Sequence, residues 1–551
     1  MPANLVIGPL LRYAGETDAT VWIETDAACE VEILGAKCRT FEIESHHYAL
    51  THVEGLEPGE DYPYEVLLDG EQVWPSSEEE FAEFPPSCIR TTSPEREGLN
   101  VAFGSCRVSL PHEKPYTQAA DTDEGHEVDA IYALAKRMQE GKEAPPDILL
   151  LLGDQVYADE GALDTREWIK ARRDTSVPPG DEIADFEEYT HLYQESWSHP
   201  VTRWLLSTLP SAMIFDDHDV RDDWNISIDW LEEMRATTWW NDRVVGAFMS
   251  YWIYQHLGNL PPDQLAEDEM WEKVRAHDGD AGPMLRDFAF KADRQNDGTR
   301  WSFYRDLGRT RVLMVDSRAG RCLNPGERDM LDPEEWEWVE EHATGDFDHL
   351  LIGSSLPVLL GRGMHELEAW NEATADGAWG ERFKPIAEKI RQEGDLEHWA
   401  AFQTSFRRMR DLLLDVATGK DGSKPPATVV MLSGDVHHAY LADVAFKRGS
   451  GAQSAVYQAV CSPFRNPLSS REQMAIEFGI SKAGAVIGRA FARSAGVADP
   501  GIRWRFLCGP TFDNQVATLA IEGREMTMRL ERTSPDDDVA GLTESFTHRL
   551  A

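Results

Sequence analysis

With 551 residues, 42% of them hydrophobic and 27% charged, the chain has the composition of a globular protein and is too long for one ordinary core, so about two to four domains are expected. Asp and Glu number 98 against 53 Lys and Arg, a formal net charge of −45 at pH 7, which leaves no basic surface for a nucleic acid partner. The opening MPANLVIGPLLRYAGE has no positive start before a long apolar core and no later run reaches bilayer length, so a soluble cytoplasmic protein without a membrane partner is expected.

Residues 1–95 alternate apolar and polar positions in short pieces, as in TVWIE (20–24) and YEVLLDGEQVW (64–74), where Asp69-Gly70 signals a hairpin turn. This predicts a small β-sandwich. Its segment HVEGLEPGEDYPYEVLLDG, with a Leu-x-Pro-Gly turn before a tyrosine-bearing strand, resembles the fibronectin type III pattern. SPEREGL (93–99) reads as a linker, so the expected domains are 1–95 and 96–551.

Beyond it the texture changes. NVAFGSC (100–106), DILLLLGD (147–154), SAMIFDDHD (211–219), RVLMVDSR (311–318), HLLIGSSLPVLL (349–360) and ATVVMLSGDVHHAYLADV (427–444) are apolar strands that end in polar clusters. Helices fall between them: Ile131, Leu134, Ala135 and Met138 keep helical spacing, and Asp332-Pro333-Glu334-Glu335 marks a helix start. The acidic, tryptophan-rich stretches 160–200 and 220–300 are too long for bare loops and predict helices around a pocket rim. Segment 417–426 lacks phosphate-loop glycine spacing and reads as a surface turn. QVATLAIEGREMTMRLE (515–531) predicts a terminal hairpin. The alternation implies a layered α/β domain.

Four strand ends carry metal-type ligands: Cys106 in FGSCR, Asp154 and Tyr157 in LGDQVY, Asp216 to Asp219 in IFDDHDVRDDWN, and Asp435, His437 and His438 in LSGDVHHAY. Each alone is weak, since a lone Asp after a strand is commonly a helix cap and a lone buried Cys is commonly packing. Together, at the ends where sheet proteins gather ligands, they predict one site. Attack of water on phosphorus calls for two cations, and one carboxylate must bridge them; Asp154 is the choice. Thiolate and phenolate favour an acidic, trivalent-type metal while carboxylates suit calcium, magnesium or manganese, so two unlike metals are expected. The seven cysteines (Cys29, Cys38, Cys88, Cys106, Cys322, Cys461, Cys508) are odd in number and scattered, unlike a disulfide framework or a paired zinc motif.

FGSCR, LGDQVYAD, FDDHDVRDDW, VDSR and SGDVHH, in this order, resemble the PhoD-like (alkaline phosphatase D) branch of the calcineurin-like metallophosphoesterases. The resemblance implies a four-layer metallophosphoesterase-type β-sandwich flanked by helices, behind the small all-β fibronectin III/Ig-like domain. It further implies a phosphomonoesterase or phosphodiesterase that uses a metal-bound hydroxide, with iron and calcium as the metals, and manganese, magnesium or zinc as alternatives. Carried over, an iron-type ion takes Cys106, Asp154, Tyr157 and His437, and a calcium-type ion takes Asp217 and Asp435. His218 is left to protonate a leaving oxygen, and Arg107 to hold a phosphoryl oxygen. Asp222 and Asp223 stand where members often have asparagines, and Asp222 is taken as a further metal ligand. Members are commonly exported with a twin-arginine signal, which is not seen in this sequence, so the expectation stays cytoplasmic and export is in doubt.

His437 and His438 point to opposite faces of a strand, and His437 is preferred as the ligand. His46, His47, His112, His191 and His199 lie away from strand ends and read as structural. Asp316 and Arg318 read equally as a structural ion pair or as support for the site. Ser354 and Ser355 lack the elbow of a serine hydrolase. The expected partner is a small phosphate ester; ester class and oligomeric state stay open. The competing readings are a catalytically silent binding protein on this scaffold and a phosphotriesterase-type hydrolase.

Overall fold

The computed structural model describes residues 2–93, 98–295, 298–420, 422–536 and 539–551. The N-terminal segment builds two four-stranded antiparallel sheets. One runs Leu5–Ala14, Asp18–Thr25, His46–Glu54, Phe41–Ile43; the other runs Ala36–Arg39, Glu30–Ile33, Val66–Leu68, Glu71–Trp74. Asp69 (φ 49°) and Gly70 (φ 86°) make the turn between the last two strands, because both central positions need the left-handed backbone that this pair tolerates. After the Leu-x-Pro-Gly turn, the Glu57 amide donates to Tyr62 Oη at 2.8 Å, hooking the turn to the next strand.

Strand alternation gives the first sheet two apolar faces. Leu11, Val21, Ile23 and Val31 fill the sandwich with Val66 and Trp74, while Leu10, Trp22, Tyr48 and Leu50 face outward into the core of the main body. Arg12, fully buried, joins the two by donating to the carbonyls of Tyr254 (2.5 Å) and Gln255 (2.9 Å). Residues 94–97 of the expected linker, and with them the 95/96 boundary, lie outside the described residues.

The main body holds two larger sheets. The six-stranded one has the order Ser211–Met213, Ile148–Leu151, Gly98–Gly104, Gln515–Glu522, Glu525–Arg532, Thr543–Arg549, with the first three strands parallel. The seven-stranded one has the order Phe303–Leu307, Thr310–Met314, His349–Gly353, Thr428–Ser433, Ala455–Val460, Ala439–Ala445, Arg503–Thr511, with a parallel centre. They meet directly: a ring nitrogen of His349 lies 2.9 Å from the Gly523 carbonyl, and Thr428 Oγ1 lies 3.7 Å from Met526 Sδ. Central strands such as Ile148–Leu151 and Thr428–Ser433 are buried throughout, which explains their unbroken apolar sequence.

Helices cover the sheets: Ala130–Gln139 contacts Gln515–Glu522, and Gln403–Thr418 contacts Ala455–Val460. Asp129 and Asp332 cap their helices by accepting backbone N–H bonds, and Pro333 fills the first helical position. Stretches 160–200 and 220–300 carry helices, including Phe186–Trp197 and Trp240–Ser250. The C-terminal hairpin gains a third strand, Thr543–Arg549, whose exposed polar residues gave no strand signal. No helix among the described residues is long and apolar enough to cross a membrane.

Candidate metal centre

The parallel strands of both sheets end at one place, and the residues after them leave ordinary strand geometry. Cys106 (φ 56°), Asp154 (φ 49°), Asp435 (φ 65°) and His437 (φ 49°) are all left-handed, a costly conformation that turns each side chain off its strand toward a common point. Gly153 (φ 113°) is required as well, because a Cβ there would lie 2.5 Å from Asp216 Oδ2.

Two overlapping donor groups result. Cys106, Asp154 and His437 each bring a ligand atom within 4.8 Å of the others, and so do Asp154, Asp216, Asp217 and Asp435. Asp154 belongs to both. Tyr157 joins the first group: its hydroxyl lies 3.4 Å from Asp154 Oδ2 and accepts from Asn466 Nδ2 at 3.1 Å. Cys106 Sγ is buried and accepts from Ser462 Oγ at 3.2 Å. The Asp435 amide donates to Ser105 Oγ at 3.0 Å and the His437 amide to Ser462 Oγ at 3.2 Å, tying the last loop to the first. His438 turns away, its Nδ1 2.6 Å from the Val436 carbonyl.

One guanidinium holds the carboxylates. Arg318, fully buried, donates through Nε to Asp216 Oδ1 (2.6 Å), and its Nη2 lies 3.0 Å from Asp217 Oδ1 and 3.6 Å from Asp435 Oδ1. Its Nη1 is bonded to Glu397. His398 lies 3.4 Å from the other Asp435 oxygen and is backed by Glu368 at 2.8 Å. Burial, then the charges of Asp217 and Asp435, push the Asp154 carboxyl well above its ordinary range against the pull of His218. Burial likewise raises Asp216 and Asp217, although Arg318 opposes it. Asp435 is held below its ordinary range: burial works against the charge, but His398 and Arg318 outweigh it.

Asp154 Oδ1 and Asp216 Oδ2 are buried without a hydrogen-bond partner. Converging, unsatisfied carboxylate oxygens are costly unless a cation collects them. With a thiol, a phenol and an imidazole on one side of Asp154 and only oxygens on the other, the residues fit two cations of unlike chemistry.

Beside the cluster, the His218 ring packs at a 35° tilt against Tyr157 with ring centres 4.6 Å apart, and its Nδ1 lies 2.9 Å from Asp159 Oδ1. Burial opposes a charge on this imidazole, but Asp159, with Asp217 and Asp154, holds its pKa well above the usual range. Asp222 is solvent-exposed and groups with Asp217 and His218, apart from the four-carboxylate set. Asp223 is the more buried of the pair, and its amide donates to Asp217 Oδ2 at 3.2 Å.

Arg107 corrects the sequence reading. Its Nε donates to Asp129 at 2.8 Å, and its other nitrogens to the Ser196 carbonyl and Thr202 Oγ1, so the guanidinium next to Cys106 is consumed by packing and holds no phosphoryl oxygen. Asp216, a strand-end candidate that the carried-over ligand set leaves out, and Asp159, Glu397, His398 and Asn466, which the sequence does not single out, all reach the cluster. The FDDHD and VYAD strings contain the first two; the other three sit in loops that carry no strand-end signal.

The fold and this cluster define a two-sheet α/β protein with a buried group of carboxylate, thiol, phenol and imidazole donors that could hold metal ions. Residues 124–286 match the family model described as PhoD-like phosphatase, and residues 2–89 match a domain of unknown function, DUF7800. A solved structure described as "Structure of PhoD" aligns over 100% of this chain and 90% of its own, at TM-score 0.57 and 13% identity. A maltogenic amylase from S. marinus aligns at TM-score 0.17 and 8% identity over 98% of this chain and 80% of its own, which carries no argument. No curated protein matches the chain. Segment 124–286 is thus similar to PhoD-like phosphatases, and the chain as a whole shares the fold of the PhoD structure.

Proposed function

We propose that the protein hydrolyses small phosphate mono- or diesters at a two-cation centre. The observation that carries this reading is the sharing of Asp154 between the Cys106–His437 group and the Asp216–Asp217–Asp435 group. In this reading an iron-type ion takes Cys106, Asp154, Tyr157 and His437, and a calcium-type ion takes Asp154, Asp217 and Asp435, with Asp216 beside them. When bound, the cations supply positive charge for the phosphoryl oxygens and acidify a water.

The remaining chemistry belongs to the chain. Asp159 takes His218 Nδ1, which leaves Nε2 to deliver a proton to the leaving oxygen. Arg318 is too deeply buried to reach a substrate and acts by keeping the carboxylates together. The net charge of −45 disfavours a nucleic acid substrate, and the cytoplasm is the proposed setting.

Elemental analysis, visible absorption and chromogenic mono-, di- and triesters test the proposal. Purified protein should contain a transition metal plus calcium and show the charge-transfer band of a tyrosinate on ferric iron. Colourless protein containing only magnesium refutes the iron assignment. Asp154→Asn should lose turnover and both metals together, whereas near-normal rate and metal content would refute the shared ligand.

A further inference from the structure

A second cavity, of about 590 Å³, opens at the outer edge of the seven-stranded sheet, between the edge strand Phe303–Leu307, the helix Pro333–His342 and segment 256–273. None of the metal-centre residues lines it. Its size lies within the range of small-molecule sites. Trp301, Phe288, Tyr304 and Trp338 give it aromatic walls, and Arg300 lies over the Trp338 ring at 4.4 Å. Its charged lining balances: Glu267, Asp268 and Glu269 against Lys273, Lys291 and Arg300.

Two polar groups in this lining are buried without partners. His256 is 4% exposed and its Nδ1 makes no hydrogen bond. Its Nε2 lies 4.0 Å from Asp268 Oδ2, which favours the proton on Nε2 and leaves Nδ1 as an acceptor. Burial lowers the pKa of this imidazole to about 4, so the ring is neutral near pH 7. Gln264 donates through Nε2 to the Tyr304 carbonyl at 3.2 Å, and its buried Oε1 is left with no donor. Aromatic walls with balanced charge call for a flat, neutral, largely apolar ligand, and two orphan acceptors require that ligand to bring N–H donors.

We propose that this cavity is a binding site for a neutral heteroaromatic molecule with exocyclic N–H donors, of the nucleoside type. The proposal is independent of the phosphoesterase reading. Adenosine and purine riboside, which differ only by the exocyclic amine, are titrated into the full-length protein by calorimetry, with tryptophan fluorescence as a second readout. Adenosine should bind saturably and about tenfold or more tightly than purine riboside, since the latter leaves a buried acceptor unpaired. Gln264→Leu should reduce that preference severalfold, and Trp338→Leu should weaken both ligands. If adenosine shows no saturable binding, or if the unmodified protein binds the two ligands equally, the proposal is overturned. Adenosine binding that is unchanged in Gln264→Leu and Trp338→Leu would place the ligand elsewhere and overturn it as well.

Discussion

His46 joins the N-terminal sandwich to the main body, and its removal has a calculable, pH-dependent cost. Its Nδ1 lies 3.1 Å from Glu24 Oε1 in the neighbouring strand, and its Nε2 lies 2.9 Å from Glu187 Oε2 on the helix Phe186–Trp197. Burial opposes the imidazolium, but the hydrogen bonds and charges of Glu187 and Glu24 win and raise its pKa from 6.5 to about 9. Burial pushes the Glu24 carboxyl up even so, while His46 lowers that of Glu187. We take the protonated bridge as the working state, because the imidazolium faces carboxylates on both sides. A move from 6.5 to about 9 corresponds to about 3 kcal/mol at about 1.4 kcal/mol per pH unit. The Glu187 side chain is 48% exposed, so solvent screens that half and about 1–2 kcal/mol is expected. The folded state holds the proton more tightly than the unfolded chain, so the contribution is complete below about pH 6.5 and disappears as pH rises through about 9. Urea unfolding of the wild type and His46→Gln, compared at pH 6, 8 and 10, should give a stability difference of about 1–2 kcal/mol that shrinks toward zero at pH 10. A difference that is constant across this range, or grows with pH, would refute the reasoning.

Arg318→Met should destabilise chelator-treated protein by about 3–5 kcal/mol, because Asp216, Asp217 and Glu397 lose a buried counter-charge, and added cations should recover part of the loss; urea unfolding with and without metal reads this, and wild-type stability in the chelated variant would contradict it. Asp159→Asn should slow esters with poor leaving groups by about 100-fold while sparing p-nitrophenyl esters, since it unmoors the imidazole assigned to protonate the leaving oxygen; equal losses for both ester types would leave Asp159 with a structural role alone. At fixed metal occupancy, higher salt should raise kcat/KM for multiply charged monoesters more than for diesters, because the chain's charge of −45 repels anions over distances that salt screens; identical responses would show that the acidic surface does not govern access.

Local pattern made much of the architecture legible. The buried strands Ile148–Leu151 and Thr428–Ser433 announce themselves as unbroken apolar runs, Asp69-Gly70 by the left-handed turn that it tolerates, and Asp332-Pro333 by the cap and the proline that start a helix. These signals span only a few residues, so they survive in one dimension. The destinations of long, charged side chains do not. Arg107 adjoins Cys106 in sequence yet is captured by Asp129, whereas Arg318, more than 100 residues from Asp435, inserts among Asp216, Asp217 and Asp435. Glu397, His398 and Asn466 approach the centre from loops whose sequence has no period to read. The second apolar face of the first sheet was equally hidden, because alternation shows that Trp22 and Tyr48 point away from the sandwich core but not that the main body waits there. A side chain's periodicity is written in its neighbours along the chain, whereas its partner is chosen by burial and charge once distant segments meet, and that choice exists only in three dimensions.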